Sequence, residues 1–442
     1  MLHVRDHAVL TADRPAPVRQ PGSPGAGRAR SGHAPESVPE QRASRDPYFD
    51  NVKYLAIVLV AMGHAWTPLM DSSRAAAALY MFVYTFHMPA FIVVAGYFSR
   101  SFTGRPDQLR RLVTGIGVPY LVFEVAYIAF HRQVNGTDHP WSLLDPYYVT
   151  WFLLALFVWR LTAPFWRIIR YPLPVALGIA ALASVSPELG DDFNISRVLQ
   201  FLPFFVLGLT LRREHFERLR RPDVRLIAVP AFVGALVVAY WAVPRMSARW
   251  FYRTNSAQEM GHLWWTGPLM TLALFGAGLV LTAAFLAWVP EHATWYTALG
   301  AGTLYGYLLH GFLAKGSRWW GWYEAEWVAT PLGQVTVTVL AAAIVTALCT
   351  SPVRTLFQPV VEPGMSWAFR PSDRPRGGSG AAGAAGGAGG AGGSGGAGGP
   401  QGGPQGADRA GGAGVAGGHR SGPERPAAGA AGGRSSGGAS PG

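Results

Sequence analysis

The sequence predicts an all-α integral membrane protein of about ten transmembrane helices with disordered N- and C-terminal tails. Three observations carry that expectation. Half of the 442 residues are hydrophobic and only 14% are charged, well below the roughly 25% of an average globular chain. The apolar residues gather in stretches of the length needed for a helix to cross the hydrocarbon core, roughly 20 residues. The basic residues fall between those stretches and in the tails, where a topology signal puts them.

The tails, 1–46 and 363–442, are rich in Pro, Gly, Ala, Ser and Arg and hold few large apolar side chains. They cannot bury enough surface to offset the entropy of ordering, so disorder is expected, and the run GGSGAAGAAGGAGG reads as a flexible coil. Between them lies a transmembrane domain, 47–362. No apolar h-region opens the chain, so the first hydrophobic span is expected to direct insertion itself.

Taken in order, the clear candidate spans are 52–70, 79–98, 112–130, 148–166, 226–243, 266–289 and 332–350. Three weaker candidates, 172–186, 197–211 and 298–314, are short or contain Gly and Pro. With ten spans the loops alternate in charge. The set holding Arg100, Arg105, Arg110 and Arg111, then Arg167 and Arg170, then Arg212 to Arg225 is the basic one, which places it and both tails in the cytoplasm of a multi-pass plasma-membrane protein. Loop 244–264 falls outside yet carries Arg245, Arg249 and Arg253. Its length and its aromatics suit a cover over a site at the outer surface.

A net charge of +12 and a pI near 10.1 would point to nucleic acid in a soluble chain, but here the lipid bilayer is the expected partner and no nucleic acid is. The one cysteine, Cys349, excludes an intrachain disulfide and a Cys zinc cluster, and no metal site is expected. There is no GxxxxGK[ST], GxSxG or HExxH motif, so ATP hydrolysis, serine esterase chemistry and zinc proteolysis lack support.

Chemistry is concentrated in four ionisable residues inside apolar stretches: His64, His87, Glu124 and His310. Counted from the assumed inner edges, each lies about twelve residues in, about 18 Å deep. Intramembrane ionisable groups are costly, which makes a functional site the default reading. Each ring alone also fits a neutral imidazole bonded to a carbonyl, and Glu124 fits a protonated helix contact. Below them Arg100, Arg105, Arg110 and Arg111 can hold a phosphorylated cytosolic donor, or simply set orientation. Asp50 and Lys53 read as an interfacial helix pair.

The segments FDNVKYLAIVLVAMGH (49–64), FHMPAFIVVAGYFSRS (86–101), VPYLVFE (118–124), WFLLALFVWRL (151–161), FLPFFVLGL (201–209) and YGYLLHGF (305–312) resemble, in order, the acyltransferase 3 family of membrane O-acyltransferases. The resemblance spans about 46–360 and is strongest to the fucose 4-O-acetylase-like sugar acetyltransferases. It implies transfer of acetyl from acetyl-CoA to a hydroxyl of a cell-surface or secreted glycan. The family's first-helix histidine maps onto His64, the second-helix histidine onto His87, and the basic donor loop onto Arg100–Arg111. This chain departs from the family in reading SRSFTGRPDQLRR where many relatives carry Arg-x-x-Arg, and in Lys53 where many carry arginine.

The chemistry agrees. A sugar hydroxyl needs a general base to attack a thioester, and His64 suits that task. His87 can orient it or meet the oxyanion, and Glu124 can fix a tautomer or bind the acceptor. The competing expectation is a proton-coupled transporter or glycan exporter, with the histidines as a relay and Pro89, Pro119 and Pro203 marking broken helices.

Overall fold

The computed structural model of the protein describes residues 46–189 and 192–369. The expected disordered tails lie outside the described residues, apart from Asp46 and 363–369. Among the described residues every regular element is helical.

Helix α1 runs from Pro47 to Trp66, five residues ahead of its expected start. The reason is local. The Asp46 carboxylate caps Tyr48 N–H at 3.1 Å, and Pro47 occupies a position where a missing N–H costs nothing. A short 3₁₀ turn, Thr67–Leu69, leads to α2, Arg74–Phe98, whose N-cap is Ser73. Then come α3, Pro106–Leu112, a π-helical turn over Val113–Gly117, and α4, Val118–Phe130. Pro119 has no N–H for the carbonyl of Gly115, and the widened turn just before it absorbs that loss.

The chain continues through α5, Trp151–Trp166, α6, Pro172–Ala183, and α7, Ile195–Thr210. A bend of 101° separates α7 from α8, Arg213–Leu219. Helices α9, Pro222–Ala242, α10, Arg249–Tyr252, α11, Thr266–Trp288, and α12, Thr303–Trp319, follow. The described chain closes with α13, Pro331–Leu348, and α14, Ser351–Val361.

All ten apolar stretches are helices, but their lengths differ. Among the described residues six units are long and apolar enough to cross a membrane: Pro47–Leu69, Arg74–Phe98, Pro106–Asn135, Pro222–Ala242, Thr266–Trp288 and Pro331–Leu348; a seventh exists if α7 and α8 form one bent span. Helices α5 and α6, with 16 and 12 residues, rise only about 24 and 18 Å. Pro89 and Pro203 lie inside α2 and α7 without interrupting them, so those helices are not broken as the transporter reading expects.

Helix α2 is the central element, with 72% of its apolar window buried, against 11% for α9 and α13 at the periphery. It packs on α1, α7, α9 and α11. Its contact with α7 is backbone on backbone: a Cβ added at Gly208 would collide with the carbonyl of Val93, and one at Gly96 with that of Phe205. Such small residues let membrane helices approach closely. Helix α1 is tied to α13 by Trp66 Nε1 donating to Thr338 Oγ1 at 2.8 Å. The expected Asp50–Lys53 ion pair forms at 2.6 Å.

Candidate active site

His64 sits in the last turn of α1. Its Nδ1 is 2.8 Å from the Tyr148 hydroxyl, and its ring centroid is 5.4 Å from that of His310 on α12. His310 is 3% exposed. Its Nδ1 lies 3.0 Å from Gly306 O and 2.7 Å from Tyr307 O. Both partners are carbonyls, so Nδ1 carries the hydrogen and Nε2 carries the lone pair. That Nε2 is buried with no hydrogen-bond partner. Leaving such an atom unpaired costs about 1–3 kcal/mol, and in a native fold it calls for a functional reason.

Tyr148 reaches His64 because the segment before α5 is anchored from several sides. Glu124 is fully buried; its two oxygens accept from Tyr147 N–H at 2.9 and 3.0 Å, and Oε2 accepts from Thr150 Oγ1 at 2.5 Å. The carboxylate thus ties down the turn that precedes α5. Tyr120 donates to Leu143 O at 2.7 Å, and Tyr307 donates to Val149 O. Held between these points, Tyr148 adopts φ 56°, a left-handed conformation that costs a non-glycine residue about 1–3 kcal/mol. Burial, with the nearby Glu124 charge, pushes the Tyr147 phenol up to about 12. The Lys315 ammonium lies 4.8 Å from the Tyr148 ring centroid and 5.6 Å from that of Tyr147.

His87 is nearly fully buried. Its Nδ1 donates to Val83 O at 2.9 Å, and its ring lies 4.5 Å from that of Tyr84, which stands between it and His64 at 6.4 Å. His64 and His310 therefore meet directly. Glu124 joins them through Tyr147 and Tyr148, and His87 through Tyr84. The count of twelve residues from the inner edge does not hold for His64, because α1 begins at Pro47 and His64 falls in its last turn.

The four arginines divide. Arg100 donates from Nε to Tyr97 O at 3.0 Å and from a terminal nitrogen to Leu211 O at 2.7 Å, clasping the end of α2 to the end of α7. Arg105 and Arg111 share Asp107 at 3.4 and 3.5 Å, and Arg110 lies 5.0 Å over the Phe369 ring. Arg167 fixes the loop itself through Arg100 O and Phe102 O, at 2.9 and 2.6 Å. Arg105, Arg110 and Arg111 thus keep donor capacity, while Arg100 and Arg167 are spent on backbone carbonyls. From Tyr84 to Phe98, at the loop, α2 covers about 21 Å.

At the opposite end the 244–264 loop folds onto the helices. Arg197 Nε donates to Tyr252 O at 2.7 Å, and Tyr80 donates to the Tyr252 hydroxyl at 3.0 Å. Arg253 is not a topology signal. It is buried, bonded to Gln200 O at 3.2 Å and stacked 4.9 Å from the Phe201 ring; burial lowers its guanidinium to about 10, so it stays charged at neutral pH. Among the described residues no three His, Cys, Asp or Glu side chains converge to hold a metal.

Tyr148 and Lys315 are the site residues that sequence reasoning misses. Both sit among aromatics that any membrane interface would carry, and only the turn formed by Glu124 reveals the first.

Comparison with known proteins adds three findings. The family model described as an acyltransferase domain, Acyl_transf_3, matches residues 46–351. The chain is similar to Nodulation protein NolL of Sinorhizobium fredii (strain NBRC 101917 / NGR234), at 25% identity over 296 residues, 61% of this chain and 78% of the relative. No solved structure matches.

Proposed function

The chain belongs to the acyltransferase 3 family and is an acyltransferase; from that premise we propose that it moves acetyl from acetyl-CoA to a hydroxyl of a cell-surface or secreted glycan, with His64 as the general base. The observation that carries this reading is the His64–His310 pair, braced by Tyr148, at one end of a helical bundle whose other end bears the arginine loop.

In the tautomer where His64 Nδ1–H donates to the Tyr148 oxygen, Nε2 is free to take a proton. As the acceptor oxygen bonds to the acyl carbon, its proton passes to His64 Nε2. The carbon–sulfur bond then breaks, and the departing thiolate is protonated by the imidazolium, so the enzyme ends as it began. The Tyr148 oxygen, accepting from His64 Nδ1–H, holds the tautomer in the place a carboxylate takes in a catalytic triad, while His310 Nε2, a fixed lone pair beside His64, can accept a hydrogen bond from the acceptor and orient it. The Lys315 charge would stabilise the developing oxyanion. Arg105, Arg110 and Arg111 would hold the phosphates of CoA as charge-assisted pairs.

On this reading the arginine loop and both termini face the cytoplasm of a plasma-membrane protein, and the glycan arrives beneath the 244–264 loop. The test is mass spectrometry of surface glycans from cells with the gene, without it, and with His64→Ala. An acetyl mass lost in the last two supports the proposal; glycans unchanged by deletion overturn it.

A further inference from the structure

Behind the histidine pair lies a cavity of about 370 Å³ between α1, α12 and α13, with a wall that includes His310, Leu313, Leu340, Ala341 and Ile344. It is far larger than an acetyl group needs. An apolar cavity of about 150 Å³ holds benzene, so this one has room for a hydrocarbon chain on the order of six to ten carbons.

Its polar groups say what cannot fill it. The Tyr323 hydroxyl in its wall is bonded to Ala65 O at 3.0 Å, and the Ser317 hydroxyl is bonded to Ala314 O at 3.2 Å. A sugar placed there would find few partners beyond these two hydroxyls and His310 to meet its many hydroxyls, and each one left unpaired costs about 1–3 kcal/mol. The unspent buried atom is His310 Nε2, at the end of the cavity next to His64. The occupant therefore needs one polar, reactive end and an apolar body.

We infer that this cavity is the acyl-chain pocket of the enzyme, and that the group transferred extends beyond acetyl to linear acyl chains of about six to eight carbons, with the thioester carbonyl beside His310 and His64. This rests on the acyl-CoA-dependent reading above and refines its donor. Trp322, Trp327 and Leu340 in the wall are each more than half exposed, so the cavity is open to an incoming chain and not sealed by protein.

The experiment measures binding of acetyl-, butyryl-, hexanoyl- and octanoyl-CoA to the full-length protein in nanodiscs, with free CoA as competitor. The expected result is affinity rising with each methylene buried, reaching about tenfold or more between acetyl and octanoyl. Ala341→Phe should abolish that rise. In parallel, an octanoyl-CoA carrying a terminal diazirine should label α12 or α13 near Leu313 and Ile344, in competition with unlabelled octanoyl-CoA; this uses the unaltered protein and is independent of any variant's folding. Equal affinity for all four chain lengths, or labelling not competed by octanoyl-CoA, overturns the inference while leaving acetyl transfer standing. Binding of none of the four overturns both.

Discussion

The Tyr148 hydroxyl and His64 Nδ1 lie 2.8 Å apart across 84 residues of sequence, so a residue outside the transmembrane helices sets the orientation of the ring near the end of α1. If His64 is the base, Tyr148→Phe keeps the ring packing and removes only that bond. We expect kcat to fall about 10- to 100-fold, with the donor KM changed less than threefold. An unchanged kcat would show that the tyrosine only packs.

His64→Ala should lower turnover by about 10²- to 10⁴-fold, the range for loss of general base catalysis. His310→Ala should cost less, and the double variant little more than His64→Ala, because groups acting as a unit are not additive. Single-turnover acyl transfer from labelled donor measures all three; strictly multiplicative losses would separate the rings into independent roles.

On the proposed reading Glu124 acts as a positioning residue, through Tyr147 and Thr150. Glu124→Ala frees Tyr147 and Thr150 and should reduce kcat about as much as Tyr148→Phe. Glu124→Gln, which keeps an acceptor oxygen for Tyr147 N–H, should recover part of the loss. An effect confined to acceptor KM would instead mean that the carboxylate touches the glycan.

The arginines make a sharper contrast. Arg110→Ala with Arg111→Ala should raise the donor KM at least about tenfold and leave thermal stability within about 1 kcal/mol, since Arg111 is exposed and Arg110 is only half-buried. Arg100→Ala should do the reverse, lowering the unfolding temperature through the lost carbonyl bonds to Tyr97 and Leu211 while the donor KM holds. Donor titrations and thermal unfolding in detergent decide between the two patterns.

Gly208→Val should be among the most damaging substitutions far from the histidines, because its side chain would push α7 off the Val93 carbonyl. We expect a loss above about 2 kcal/mol, read as a lower unfolding temperature or as failure to recover folded protein.

Much of this was legible before any coordinates. Ten apolar stretches became ten helices, and the costly rings His64 and His310 came together, because burying an ionisable group in lipid restricts it to a shared polar site. The expected start of α1 was five residues late for a readable reason: Asp46–Pro47 is a helix-start signal, and taking it as the beginning of α1 moves His64 to the helix's last turn. Tyr148 was not readable, since its role depends on a left-handed turn held by Glu124, and no periodic pattern encodes a turn of that kind. Arg100 looked equivalent to its neighbours because sequence shows charge but not which carbonyls a guanidinium has already taken.

The unbroken run of α2 through Pro89 has one more consequence. A rigid helix that has Tyr84 near its middle and the arginine loop at its end sets a fixed distance between the two, about 21 Å. If the arginines hold the donor's phosphates, a donor must match that length to engage both marks at once. Small thioesters without the nucleotide, such as acyl-cysteamines, would touch only the upper mark and compete poorly. The enzyme would therefore select its donor by reach as well as by the identity of either end.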